Sequence, residues 1–246
     1  MRVLILGGTA EARRLAAALS AEPGISVTSS LAGRVSNPAL PVGAVRIGGF
    51  GGAGGLAAFL LETSIDVMVD ATHPFAATIS AHAATAAAET GVPLLGLRRP
   101  GWTAADGDDW RRVPSITAAA AALDGFDGTV FLTTGRRDLG AFADDTAHRF
   151  VIRTVEPPDP PLPPDHSLVL DRGPYTVDGE LALLRSHDVR VVVTKDSGGA
   201  LTVAKLTAAR ALGLPVVMVD RPPYPRGVAT VDSVAAALAT LRPDPR

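Results

Sequence analysis

Several short segments combine residue types that could do chemistry, and most follow a run of apolar residues. The first is Leu6-Gly7-Gly8-Thr9-Ala10-Glu11. A glycine pair allows a tight turn and close backbone approach, and the N–H groups of a helix starting near Ala10 can hold a pyrophosphate. The spacing departs from G-x-G-x-x-G, because the two glycines are adjacent and Ala12 stands at the third glycine position. An ordinary strand-to-helix turn would use the same residues. The second segment is Ser29-Ser30-Leu31-Ala32-Gly33-Arg34, where an NAD-preferring site places an acid against the ribose 2′-hydroxyl. It contains none. Ser30 and Arg34 suit a 2′-phosphate, which a guanidinium can meet with two charge-assisted hydrogen bonds, so NADPH is the expected cofactor.

The third segment is Asp70-Ala71-Thr72-His73-Pro74-Phe75-Ala76, at the carboxyl end of another apolar run. Ligands of open α/β sheets sit beyond such strand ends, so Thr72 and Pro74 are expected against the cofactor and His73 toward the reacting centre. A packing or capping role for His73 stands equally open. No second histidine lies at metal-ligand spacing, since His82 should fall on a helix away from this turn, and no metal is expected. The fourth segment is Thr194-Lys195-Asp196-Ser197-Gly198-Gly199, with Thr202 and Lys205 on the helix expected at 201–212. Lys195, Ser197, Gly198 and Gly199 at a helix start make an anion cradle, with Thr202 beside it, and a capped helix start would use the same residues. It is not a Walker A loop, which ends in Gly-Lys-Ser/Thr. Arg98, Arg99, Arg136, Arg137, Arg172, Arg221 and Arg226 complete the set. Most follow expected strands and would suit a substrate bearing several carboxylates.

The elements that must position these groups alternate along the chain. Strands are expected at 3–6, 25–29, 44–47, 65–70 and 94–97, with helices at 10–19, 56–61 and 76–89 between them. That rhythm implies a parallel, doubly wound sheet. The second half repeats it. Gly91-Val92-Pro93, a strand and Arg99-Pro100 are matched by Gly213-Leu214-Pro215, a strand and Arg221-Pro222 at identical spacing. Val113-Pro114-Ser115 before a helix is matched by Val231-Asp232-Ser233. Two similar α/β halves joined near Gly125 follow, and two such halves could also exchange equivalent strands. The proline-rich stretch 157–164 reads as a stiff surface loop inside the second half, and 101–112 as a long polar loop at the edge of the first.

Composition agrees. Hydrophobic residues are 47% of the 246 and aromatics only 4%, a diet for parallel strands under alanine-rich helices. A net charge of −2 offers no general attraction for nucleic acid or anionic lipid. The absence of cysteine excludes thiolate catalysis and disulfides. No apolar stretch suits a signal peptide or membrane span, so a cytoplasmic protein is expected.

At residues 4–12, 70–76, 195–199 and 213–222 the chain resembles the precorrin-6A reductase family of cobalamin biosynthesis. The block His73-Pro74-Phe75-Ala76 is the most specific part. The resemblance implies two Rossmann-like domains with mainly parallel sheets and a cleft between them. Residues 1–125 would bind NADPH, and 126–246 would contribute to substrate and cofactor binding. It implies NADPH-dependent reduction of one double bond of a tetrapyrrole macrocycle, precorrin-6A, to precorrin-6B or the cobalt-containing counterpart. Gly7, Gly8, Thr9, Ala10 and Glu11 would then hold the cofactor, and Arg98, Arg99, Arg136, Arg137 and Arg221 the macrocycle's carboxylates. His73, Lys195 and Asp196 are the side chains that could deliver a proton. Neighbouring pathway enzymes are the only macromolecular partners this implies. A short-chain dehydrogenase relative is the first rival, yet Tyr175 and Tyr224 are followed by Gly179 and Val228 where Tyr-x-x-x-Lys needs lysine. A non-catalytic dinucleotide sensor is the second, though it would not need an arginine-bearing half with its own glycine loop.

Overall fold

A computed structural model describes residues 1–33 and 40–242. Its strands are built from branched apolar residues that lose all solvent contact, as Val3, Leu4 and Ile5 do in β1 (Arg2–Leu6). Alternate residues point to opposite faces, and both faces are covered, which is why the run is apolar throughout rather than alternating. On one face Val3, Ile5, Val27, Val67 and Val69 pack under α1 (Ala10–Ser20) and α7 (Val234–Leu241). On the other, Leu4, Leu6 and Met68 meet α2 (Ala53–Glu62) and α3 (Ala77–Thr90).

The remaining elements are β2 (Ser26–Leu31), β3 (Ala44–Ile47), β4 (Val67–Asp70), β5 (Leu94–Leu97), β6 (Trp110–Val113), α4 (Ile116–Ala121), β7 (Thr129–Leu132), β8 (Arg149–Thr154), β9 (His166–Leu170), α5 (Val177–Ser186), β10 (Val189–Lys195), α6 (Ala204–Ala211), β11 (Val216–Val219) and β12 (Ala229–Val231). They form two six-stranded sheets, ordered β12-β5-β4-β1-β2-β3 and β6-β11-β10-β7-β8-β9, and every pairing is parallel. Each has the Rossmann arrangement, with the order reversing between β1 and β4 in one sheet and between β7 and β10 in the other.

The boundary expected at residue 125 is not where the chain divides. One unit is Met1–Pro100 with Pro222–Arg246, and the other is Gly101–Arg221. The strand following Arg99-Pro100 joins the second sheet, and the strand following Arg221-Pro222 joins the first. The two halves have exchanged their last strand and helix. The matched spacing found in the sequence marks both crossing points. Ser115 and Ser233 cap the two exchanged helices alike, accepting hydrogen bonds from the N–H groups of Ala118 and Ala236 at 3.1 and 3.3 Å.

Residues 101–112 are therefore not one long loop at the edge of the first half. They lie in the second unit, and Trp110–Val113 is a strand there. The expected helix at 201–212 is divided into a tight 3-10 turn over Ala200–Thr202 and α6. The proline-rich stretch 157–164 connects β8 and β9 within the second unit. Among the described residues, no helix is long and apolar enough to cross a membrane.

Candidate active site

In the first unit the register brings three expected segments to one edge. Leu6 pairs with Ser30 on one side and Asp70 on the other, so the turns after β1, β2 and β4 open together at the reversal of strand order. Gly8 has φ +108°, which favours glycine, and a Cβ there would meet nothing within 4 Å, leaving open space over the turn. The Gly7 amide donates to the Ser30 carbonyl at 2.9 Å and ties the turn to β2. Thr9 caps α1. Its hydroxyl accepts from the Ala12 amide at 3.1 Å and donates to the Ala71 carbonyl at 2.7 Å, joining the first turn to the third. The amides of Ala10 and Glu11 have no partner within the helix, as at any helix start, and face the side on which an anion would sit.

Beside this turn, Glu11 accepts from Arg99 at 2.8 Å and from Arg14 at 3.2 Å. Arg98 donates to the Pro74 carbonyl at 3.2 Å and stacks over the Tyr224 ring at 4.6 Å. Both arginines are thus engaged inside the first unit, where they shape the turns. His73 is exposed at the tip of its turn, and its Nδ1 accepts from the Phe75 amide at 3.2 Å. Pro74 is buried but does not begin the helix, which starts at Ala77. Ser30 is buried. Arg34 lies outside the described residues.

In the second unit the corresponding edge bears the cations Lys195, Arg136 and Arg137, with acidic side chains beside them. Lys195 ends β10 and pairs with Asp138, which follows Arg136 and Arg137 in the turn after β7. Arg136 pairs with Glu156 at 2.9 Å. Arg136 and Arg137 line a recess of about 330 Å³ with Gly140, Asp159, Pro160 and Pro161. Gly198 and Gly199 adopt φ +63° and +82°, turning the chain sharply after Ser197. Thr202 lies in the 3-10 turn and gives its carbonyl to Lys205 at 2.9 Å.

Asp196, a candidate proton donor, is spoken for. Its carboxylate is 5% exposed and accepts from the Trp102 amide at 2.9 Å and from Arg112 at 2.8 Å. Arg221 donates through Nε to the Asp196 carbonyl at 2.7 Å. Gly101 is small because a Cβ would lie 2.8 Å from that carboxylate. Asp196 therefore ties the segment 101–112 to the end of β10.

Against the 3-10 turn, where Lys205 donates to the Thr202 carbonyl, lies a buried ionic cluster. Lys205 is 4% exposed, with its ammonium 5.0 Å from the Trp102 ring centre. Burial, and then the charge of Arg153, push its pKa down to about 7 against an opposing pull from Glu180. Arg153 pairs with Glu180 and stacks over Tyr175 at 3.7 Å. Tyr224, Asp138, Arg112 and Trp102 were not read as site residues. The chain's rarest types offered the one available signal, since it has only two tyrosines and two tryptophans. Among the described residues no cluster of metal-ligating side chains occurs.

The pattern characteristic of precorrin-6x reductase CbiJ/CobK matches residues 2–242. The chain belongs to that family. Within or beside it, precorrin-6A reductase of Rhodococcus erythropolis is 54% identical over 238 residues, covering 97% of this chain and 96% of its own. Precorrin-6A reductase of Rhodobacter capsulatus is 47% identical, covering 100% and 98%. Cobalt-precorrin-6A reductase of Priestia megaterium is 31% identical, covering 96% and 97%. A solved structure of CobK precorrin-6A reductase superposes with a TM-score of 0.91 at 45% identity, over 98% of this chain and 96% of that one. Members of the CbiJ/CobK family are oxidoreductases, so the sensor reading is set aside.

Proposed function

We propose that this chain reduces one double bond of precorrin-6A to give precorrin-6B, with NADPH as the hydride source. Family membership supports the reaction. The observation that carries the division of labour is the contrast between the two strand-order reversals, glycine-lined in the first unit and cation-lined in the second. The open turn at Gly7 and Gly8, with the amides of Ala10 and Glu11, fits a pyrophosphate. Ser30, with Arg34 beyond it, fits the 2′-phosphate. Thr72, His73 and Pro74 fit the reactive end.

When bound, NADPH supplies the hydride; the protein's task is alignment and proton supply. Arg136, Arg137 and the Ser197–Gly199 turn hold the carboxylate arms of the macrocycle. Lys195, whose ammonium is paired with Asp138 at the cation-lined edge, delivers the proton on this reading, since the Asp196 carboxylate is enclosed by Trp102 and Arg112. The substrate carries no cobalt on this reading. The relatives named for precorrin-6A share 47–54% of residues with this chain, and those named for the cobalt form 27–32%.

Incubation with the coloured macrocycle and NADPH or NADH tests the reading. A spectral change with NADPH is expected, and Arg34→Ala should weaken NADPH binding about tenfold or more while sparing NADH. Equal losses for the two cofactors would remove the 2′-phosphate role.

A further inference from the structure

Asp70 ends β4 with its carboxylate 1% exposed, and no step above uses it. A buried carboxylate must be met by donors, and this one has four. Oδ1 accepts from the amide and hydroxyl of Thr72 at 3.1 and 2.6 Å. Oδ2 accepts from the Ser80 hydroxyl at 2.6 Å and from the phenol of Tyr224 at 3.0 Å. Three of these donors come from nearby in sequence. Tyr224 comes from 154 residues away, on the segment that returns to the first unit ahead of β12.

The ring of Tyr224 has a seat made for it. A Cβ on Gly96, in β5, would lie 2.7 Å from its hydroxyl and 2.8 and 2.9 Å from its ring carbons. The guanidinium of Arg98 covers the ring and donates to the Pro74 carbonyl. Burial, with the charge of Asp70 beside it, pushes the phenol's pKa well above its ordinary value. The hydroxyl is therefore a fixed donor, unsuited to acid–base exchange. It belongs to neither apolar cluster of the first unit. Its contacts converge on the turn after β4 by two routes, through Asp70 to Thr72 and through Arg98 to Pro74, with His73 between them.

We propose that Tyr224 is a positioning residue for the nicotinamide cofactor, holding the turn 72–74 in its binding conformation through Asp70 and Arg98. This rests on the reading that the turn contacts the cofactor. Tyr224→Phe removes the hydroxyl alone, and Gly96→Ala displaces the ring and its hydroxyl together while keeping the phenol chemically intact. NADPH binding is read by its fluorescence in the full-length protein without substrate, beside steady-state kinetics and melting.

Both variants should raise the Kd for NADPH about five- to tenfold, a part of the roughly ten- to hundredfold that one hydrogen bond to a charged acceptor is worth, since the effect reaches the cofactor only through the turn. The KM for NADPH should rise with it, while kcat at saturating NADPH stays within about twofold, the mark of lost uniform binding. In the Gly96→Ala background, Tyr224→Leu should restore the melting temperature without restoring affinity. Lower melting temperatures with an unchanged Kd would overturn the proposal by making the role purely structural. Gly8→Ala locates the fault. If it weakens NADPH binding and the Tyr224 and Gly96 variants do not, the inference fails alone. If none of the three alters binding, the assignment of the cofactor to this edge falls with it.

Discussion

Replacing Lys205 by Met keeps the length and apolar stem of the side chain and removes the ammonium. The ammonium is buried against the Thr202 carbonyl, with Arg153 from β8, Glu180 from α5 and the Trp102 ring around it. Its pKa falls from 10.5 to about 7. At about 1.4 kcal/mol per pKa unit, the differential cost of keeping the charge in the folded state is at most roughly 5 kcal/mol. Below pH 7 both states carry the proton and the fold bears that cost in full. As pH rises from 7 toward 10.5, the folded state releases its proton first and the unfolded state binds more, so stability rises.

The wild type should therefore gain stability across that window, and Lys205→Met should lack this part of the gain. The loss of the bond to the Thr202 carbonyl displaces the mutant curve by about 1 kcal/mol but adds no slope. Urea denaturation from pH 6.5 to 9.5 reads the difference. Trp102 and Trp110 are the chain's two tryptophans and both lie in the second unit, so their fluorescence reports that unit. Parallel stability curves for the two proteins would refute the argument, because the buried ammonium would then titrate as if in water.

Two other substitutions bear on the cationic edge. Gly101→Ala places a Cβ against the Asp196 carboxylate, so the second unit should lose about 1–3 kcal/mol, with a shift in tryptophan emission; an unchanged melting temperature would mean the clamp yields freely. Arg137→Ala should raise the substrate KM about tenfold at low salt, and by less at high salt, without altering the KM for NADPH. A change of less than twofold at every salt concentration would leave Arg137 as surface charge.

The parallel sheets were legible because buried strands such as 3–6 and 189–193 are apolar at nearly every position. β8 was harder to see because Arg153 interrupts its apolar run, and that arginine is tolerated only by its pairing with Glu180. β6 is hidden by Arg111 and Arg112, and β12 is three residues long. The exchange of these two strands leaves no local trace, since a strand's neighbours are chosen by tertiary contacts. The duplicated Arg-Pro spacing indicated two similar halves and left an exchange open. Asp196 reads as chemistry in the sequence, a carboxylate beside glycines, and only the fold brings Trp102 and Arg112, distant in sequence, onto it. Tyr224 was set aside on its spacing to lysine, a test that says nothing about a phenol used as a fixed donor.

The exchanged strands also govern how the protein can be made. The second unit is one continuous stretch, Gly101–Arg221, and can close as soon as it has been synthesised. The first unit begins earlier but must wait, because β12 pairs with β5 and α7 packs on α1 only after residues 229–241 have been made. During that interval β5 presents an unpaired edge, and the apolar surface later covered by Ala237 and Leu241 stays open to water. The amino-terminal half is thus the last to be completed. Deletion of β12 and α7 should damage the edge around Gly7 and Gly8 while leaving the Lys195 edge of the second unit folded.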